Sequence, residues 1–279
     1  MIHKIGFMQG RLSPQVNSRI QAFPWEYWRI EFAVAQKANF HLMEWTLDQE
    51  SLYENPLLTI EGQEEIKKLC ETYKINIPSL TGDCFMQDPL WKSKGKKHKA
   101  LEIDFIEIIK GCVATGINLI VIPLVDNGKL ENMKQENNLV AFLESQANFI
   151  SMHNVRIAFE SDYEAFELSR FIDRLDPALF GINYDIGNSA ALGFNAQIEF
   201  SAYGSRIINV HVKDRVLGGS TVALGKGDAN FDMIFNELTK INYQGNFILQ
   251  TARAINNNHS EVLIKYRDLT LEWLKRHAI

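Results

Sequence analysis

Arg156-Ile157-Ala158-Phe159-Glu160 runs from one charge through three apolar residues to a carboxylate. Three later stretches repeat the form: Ile182-Asn183-Tyr184-Asp185, Asn209-Val210-His211-Val212-Lys213 and Phe247-Ile248-Leu249-Gln250. Each reads as a short strand with one metal-competent residue near its end: Glu160, Asp185, His211 and Gln250. All four are types that bind a divalent cation through oxygen or nitrogen. Residues so far apart in sequence can share one ion only if their strands lie side by side and end on one face. A closed parallel barrel does this.

Outward from these stretches the pattern continues. Strands are predicted at Lys4–Gln9, Leu42–Thr46, Asn76–Thr81, Leu119–Val125, Arg156–Glu160, Phe180–Asp185, Ile207–Val212 and Asn246–Gln250. Most are continuously apolar, as parallel strands covered on both faces are. Between them, apolar residues recur with a 3.6-residue period: Trp25, Trp28, Phe32 and Ala35 after Pro24 at a first helical position; Leu101, Phe105, Ile108 and Cys112; Val262, Tyr266, Leu269 and Trp273. Further helices are expected near Glu61–Tyr73, Glu131–His153, Tyr163–Arg174, Ala196–Tyr203 and Phe231–Ile241, the one after the sixth strand being the shortest. Strands alternating with helices predict an α/β (β/α)8 TIM barrel, one domain over residues 1–279. An open doubly wound sheet is the alternative, weakened because no GxGxxG follows the first strand.

The chain has 279 residues, 46% hydrophobic and 23% charged, with net charge -5 and pI near 5.8. This balance argues against a nucleic-acid-binding body, which carries a basic face. The main cationic run, Lys92 to Lys99, reads as a solvated helix start. Three cysteines without CxxC spacing fit a reducing cytoplasm. The start, Met1 to Phe7, is too short an apolar run for a signal peptide, and no stretch approaches the roughly 20 apolar residues of a membrane span. A cytoplasmic location is expected.

Residues two apart on a strand share a face. His211 therefore shares one with Asn209 and Lys213, and Glu160 with Asp162. Arg11, Glu44 and Asp83 fall at the same ends of the early strands, where barrel enzymes place their sites. A bound cation would relieve the repulsion among Glu44, Asp83, Glu160 and Asp185. Glycines at Gly218-Gly219 and Gly225-Lys226-Gly227-Asp228 follow the seventh strand, where barrels often hold phosphate, with Arg253 close to the eighth; plain turn formation is the competing reading.

With these residues in place, the chain resembles the sugar-phosphate isomerases and epimerases of the xylose-isomerase-like barrel superfamily, such as L-ribulose-5-phosphate 3-epimerases and hexulose-6-phosphate isomerases. The likeness spans the chain and is clearest from Arg156 to Arg253, including the run His211-Val212-Lys213-Asp214. It implies one metal ion held by Glu160, Asp185, His211 and Gln250, where the family carries Glu, Asp, His and Glu. In the family both glutamates also move protons. Gln250 departs from this, because an amide offers an oxygen to a metal but takes up no proton.

The implied function is a divalent-metal-dependent isomerase or epimerase acting through an enediolate. Glu160 is the base, Lys213 a further catalytic group, and Arg11, Glu44, Asp83, Asn188 and Arg253 bind substrate. With a single ligand carboxylate matching the catalytic pair, one-base isomerisation is favoured over epimerisation, although Lys213, Asp83 or Glu44 could supply a second acid. One imidazole among oxygen donors suits Mn2+ first, with Mg2+ or Zn2+ open. The expected partner is a small-molecule sugar or sugar phosphate, without nucleic acid or membrane; a homodimer stays open. So do a sugar-binding or regulatory barrel without proton transfer and a metal-dependent hydrolase or lyase. Endonuclease IV shares the superfamily, but its repair site needs several more strand-end histidines than His211.

Overall fold

Runs too short and too apolar to be stable alone gain partners by closing on one another. Ile5–Met8 (β1), Leu42–Thr46 (β2), Asn76–Thr81 (β3), Leu119–Leu124 (β4), Arg156–Ser161 (β5), Phe180–Asp185 (β6) and Ile207–Val212 (β7) pair in parallel, and Phe247–Leu249 (β10) joins β7 back to β1. The result is a closed barrel in the order β1-β10-β7-β6-β5-β4-β3-β2. This is a computed structural model describing residues 4–279; Met1–His3, the start of the N-terminal run read above, lie outside the described residues. The eight expected strands are the eight of the barrel, with β1, β4 and β10 shorter than expected.

Helices cover the outside: Trp28–Lys37 (α1), Ile60–Tyr73 (α2), Asp83–Gln87 (α3), Gly95–Thr115 (α4), Met133–Met152 (α5), Ala165–Ile172 (α6), Ile186–Leu192 (α7), Ala196–Tyr203 (α8), Phe231–Lys240 (α9) and His259–Arg276 (α10). Outward strand residues meet their apolar stripes. Phe159 packs edge-on against Phe171 with centroids 5.3 Å apart, and Trp45 meets Trp28 at 5.8 Å. Each aromatic pair adds roughly 0.5–1.5 kcal/mol beyond its buried area.

Locally, one expectation changes and two elements are added. Helix α1 starts at Trp28, because Pro24 heads a turn in which its carbonyl accepts from the backbone N–H of both Tyr27 and Trp28. The helix expected after β6, Ala196–Tyr203, is α8, and a further short helix, α7, precedes it and ends at Gly193, whose φ of 72° is left-handed and favours glycine. An antiparallel hairpin, Asp214–Arg215 (β8) with Thr221–Val222 (β9), rises after β7.

The inward face is unusual for a barrel, whose interior is normally filled by layers of branched apolar side chains. Toward the C-terminal ends of the strands it holds Gln9, Glu44, Thr46, Ser79, Thr81, Asn183, Asn209 and His211, all buried. Burying such groups is unfavourable unless they bond one another, and Glu44, Ser79, Thr81, Asn183, Asn209 and His211 are joined by hydrogen bonds, while Gln9 Nε2 and Asn209 Oδ1 have no partner among the described residues. Among the described residues no helix is long and apolar enough to cross a membrane, and the three cysteines are free.

Candidate active site

Glu160 lies near the end of β5 and is held by two amides. Asn183 Nδ2, inward on β6, donates to Oε2 at 2.9 Å, and Asn188 Nδ2, on the first turn of α7, donates to Oε1 at 2.6 Å. Arg215 of the hairpin donates to Asn188 Oδ1 at 2.8 Å, which turns the amide nitrogen toward Glu160. Asp185 ends β6 and caps α7, its Oδ1 accepting from Asn188 N at 2.8 Å. Its buried Oδ2 accepts no well-directed hydrogen bond; Lys213 Nζ lies 2.7 Å away as an ion pair.

His211 stands opposite Asp185 across the β6–β7 ladder and is fully buried between carboxylates. Nε2 is 2.8 Å from Glu44 Oε1, and Nδ1 is 3.2 Å from Glu160 Oε2 and 3.9 Å from Asp185 Oδ2. Burial alone would lower its pKa, but the charges and hydrogen bonds of Glu44 and Glu160 outweigh it and push the imidazole up to about 10. Burial would likewise raise Glu44, yet His211 and the donors Ser79 and Thr81 hold it below the usual carboxylate range.

One oxygen from Glu160, one from Asp185 and one nitrogen of His211 lie within 4.8 Å of one another. The donor chemistry fits a divalent cation. The ring edge facing Glu160 and Asp185 demands positive charge, and a cation there would replace the Nδ1 proton. Glu44 on the far nitrogen is the kind of outer partner that orients a ligating histidine.

Gln250, expected as a fourth ligand, is hydrogen-bonded on both sides. Its Oε1 accepts from Lys213 Nζ at 2.8 Å and its Nε2 donates to Gln21 Oε1 at 2.9 Å. Gln21 Nε2 then donates to Asp83 Oδ2 at 2.8 Å. A polar chain therefore runs Asp185, Lys213, Gln250, Gln21, Asp83 around the mouth of the barrel. Above it lies a cavity of about 610 Å³ lined by Glu160, Lys213, Gln250, Asp83, Asn188, Arg11, Arg215 and others.

Other expected site residues fall differently. Glu44 is wholly buried below the cavity, bonded to Ser79, Thr81, Asn209 and His211, so it supports the site from beneath. Arg11 reaches the cavity wall, but its guanidinium donates to the carbonyls of Thr251 and Ile20, each at 3.0 Å. Burial first, and then Arg253, lower its pKa to about 9. Arg253 donates to the carbonyls of Ile20 and Ser13 and lines a neighbouring cavity of about 620 Å³ instead. The backbone N–H groups of Gly225, Lys226 and Gly227 all donate to Asp214 Oδ2, so this loop already holds an anion of its own. Asn183 and Gln21 were not singled out by the sequence. Two residues before Asp185, Asn183 was readable from strand period; Gln21 sits in a loop without any pattern.

The sequence profile of the family described as Xylose isomerase-like TIM barrel matches residues 32–276. Curated relatives include the L-ribulose-5-phosphate 3-epimerase UlaE of Salmonella heidelberg and of Salmonella typhi, each 23% identical over 266 residues, covering 90% of this chain and 89% of theirs. Among solved structures, a xylose isomerase domain protein from Planctomyces limnophilus superposes with a TM-score of 0.76 at 16% identity, covering 99% of this chain and 98% of that one. The IOLI protein with a bound zinc atom gives 0.75 at 16% identity, covering 98% and 99%. D-allulose 3-epimerase from Methylomonas sp. gives 0.72 at 16%, covering 98% and 96%. By the extent of that profile match, with the barrel to go with it, the chain belongs to the xylose isomerase-like TIM barrel family.

Proposed function

We propose that this chain is a divalent-metal-dependent isomerase or epimerase of a sugar or sugar phosphate, working through an enediolate. The reading is carried by one observation: Glu160, Asp185 and His211 converge beneath a sugar-sized cavity, with Glu160 held by two amides. The sugar epimerases among the relatives support it, as does the zinc atom of the IOLI protein.

Glu160, Asp185 and His211 would hold the metal, which supplies positive charge to polarise a substrate carbonyl and its neighbouring hydroxyl. Glu160 takes the carbon-bound proton. Asn183 and Asn188 fix its two oxygens, so the proton is removed at a set position rather than by a mobile carboxylate. Lys213, bonded to Gln250 and paired with Asp185, presents an ammonium to negative charge growing on the substrate oxygens.

The test combines metal analysis with turnover on a panel of pentuloses, hexuloses and their phosphates. Protein purified without chelator is expected to carry about one divalent ion per chain, lost in His211→Gln, with carbon-bound proton exchange that depends on it. Equal metal content in the two proteins would reject the site. Absence of proton exchange on every ketose, with ligand still bound, would favour a sugar-binding barrel.

A further inference from the structure

We propose that Asp83 is the second acid/base of the site, facing the substrate from a different wall than Glu160. The inference rests on the proton-transfer reading above and decides between its two forms, in favour of epimerisation.

Inversion at carbon needs a proton removed on one face and returned on the other. Gln250, at the end of β10, supplies an amide here, which moves no proton. Among the described titratable side chains lining the cavity, most are unsuited or engaged. Arg11 is held by backbone carbonyls, Arg215 by Asn188 and Gly219, and Lys213 by Gln250 and Asp185. Asp126 is exposed and Asp162 is half-buried, both in water's reach.

Asp83 differs. It is 7% exposed and lines the same cavity as Glu160. One oxygen, Oδ2, accepts from Gln21; the other has no protein partner among the described residues and is left to the cavity. The donors that position the two carboxylates come from separate sides. Glu160 is held from β6 and α7, Asp83 by Gln21 from the loop after β1, with the end of β4 between them. The environment also favours a group that carries a proton at neutral pH. Burial first, then the charges of Asp48 and Glu160, outweigh Gln21 and Arg11 and raise Asp83 to about 7.

The step balances without a co-reactant. The Glu160 carboxylate takes the proton as the carbon–hydrogen bond breaks and its electron pair enters the enediolate. The protonated Asp83 then gives its proton to the opposite face as the new carbon–hydrogen bond forms. Glu160 ends protonated and Asp83 ionised, and exchange with cavity water resets both. In the reverse direction the roles interchange.

The experiment follows ketose stereochemistry and deuterium uptake in D2O for the metal-loaded wild type, Asp83→Asn and Glu160→Gln. The wild type is expected to epimerise at least one ketose, with solvent deuterium in the product. Asp83→Asn should lose epimerisation by about a hundredfold or more, while still washing deuterium into unreacted ketose through Glu160. Glu160→Gln should lose wash-in from the starting epimer as well. Asn keeps an oxygen for Gln21, and unchanged melting and metal content in Asp83→Asn exclude a folding defect. In metal-free protein, infrared titration should find one carboxyl near neutral pH that Asp83→Asn removes. Epimerisation within a few-fold of wild type in Asp83→Asn, or a wild type that only interconverts aldose and ketose, overturns the role of Asp83 alone. No exchange with any ketose overturns the proton-transfer reading, and this role with it.

Discussion

Single side chains in the barrel centre are coupled through buried charge, so their substitutions should separate metal binding from structure. Glu44→Gln removes the negative charge beyond His211 while keeping the size and one acceptor oxygen. Metal affinity is expected to fall about 10- to 100-fold, read by competition with a chelator, with the cavity unaltered; unchanged affinity would mean that His211 does not ligate through Nδ1. Gln250→Glu is a second residue-scale test. The amide bridges Lys213 and Gln21, accepting from one and donating to the other. A carboxylate there meets the Gln21 oxygen with no proton to give. Gln21 can answer only by turning its amide, which withdraws its donor from Asp83. The expected outcome is a stronger pairing with Lys213 but a changed Asp83, seen as a shifted pH optimum for deuterium exchange. An optimum identical to wild type would mean that the chain from Gln250 to Asp83 carries no influence. The residue types Glu160, Asp185 and His211 were legible in the sequence because strand period places them at one end of the barrel. Their supports were less so: Asn183 had a period signal, whereas Gln21 reaches the site only because the loop after β1 folds over the cavity.

At the scale of elements, the hairpin β8–β9 and the loop after it depend on Asp214. Its two oxygens accept from the backbone of Gly225, Lys226, Gly227 and Ala229. Gly227 has no room for a side chain, since a Cβ there would lie 2.3 Å from Asp214 Oδ1. Asp214→Ala leaves those N–H groups unpaired and is expected to destabilise the protein by about 1–3 kcal/mol, with faster amide exchange over residues 216–229. It should also loosen Arg215, and through it Asn188 and Glu160, lowering turnover more than metal content. Normal exchange rates in the loop would show that other contacts hold it. The glycines here were read as a phosphate loop or as turns. The structure favours turns around an internal carboxylate, a distinction invisible in sequence because Asp214 and the loop it fills meet only when the chain doubles back.

Over the whole molecule, burial of acids sets the pH response. Asp83 and Glu31 are both buried, and burial is the main cause that raises each to about 7. Glu31 accepts from Gly10 N and Leu12 N and ties α1 to the loop after β1. An acid whose folded pKa is raised holds its proton more tightly when folded, so stability is greatest at low pH within its window and falls as pH rises toward 7. In metal-free protein, the stability of wild type relative to Asp83→Asn should therefore drop by about 2–3 kcal/mol between pH 5 and pH 7.5, measured by denaturant unfolding at the two pH values. A constant difference would mean that Asp83 titrates near its ordinary value. By itself the sequence determined the alternation of strands and helices and the barrel class, and it brought Glu160, Asp185, His211 and Gln250 to one end of the barrel, because apolar runs and 3.6-residue stripes are local and each strand end faces one way. Only the tertiary structure decided that Glu44 lies under the site, that Arg253 lines another cavity, that Asp214 fills the glycine loop and that Gln250 bridges Lys213 and Gln21. Those outcomes depend on which groups, distant along the chain, share a buried space and meet one another's charge and hydrogen bonds there.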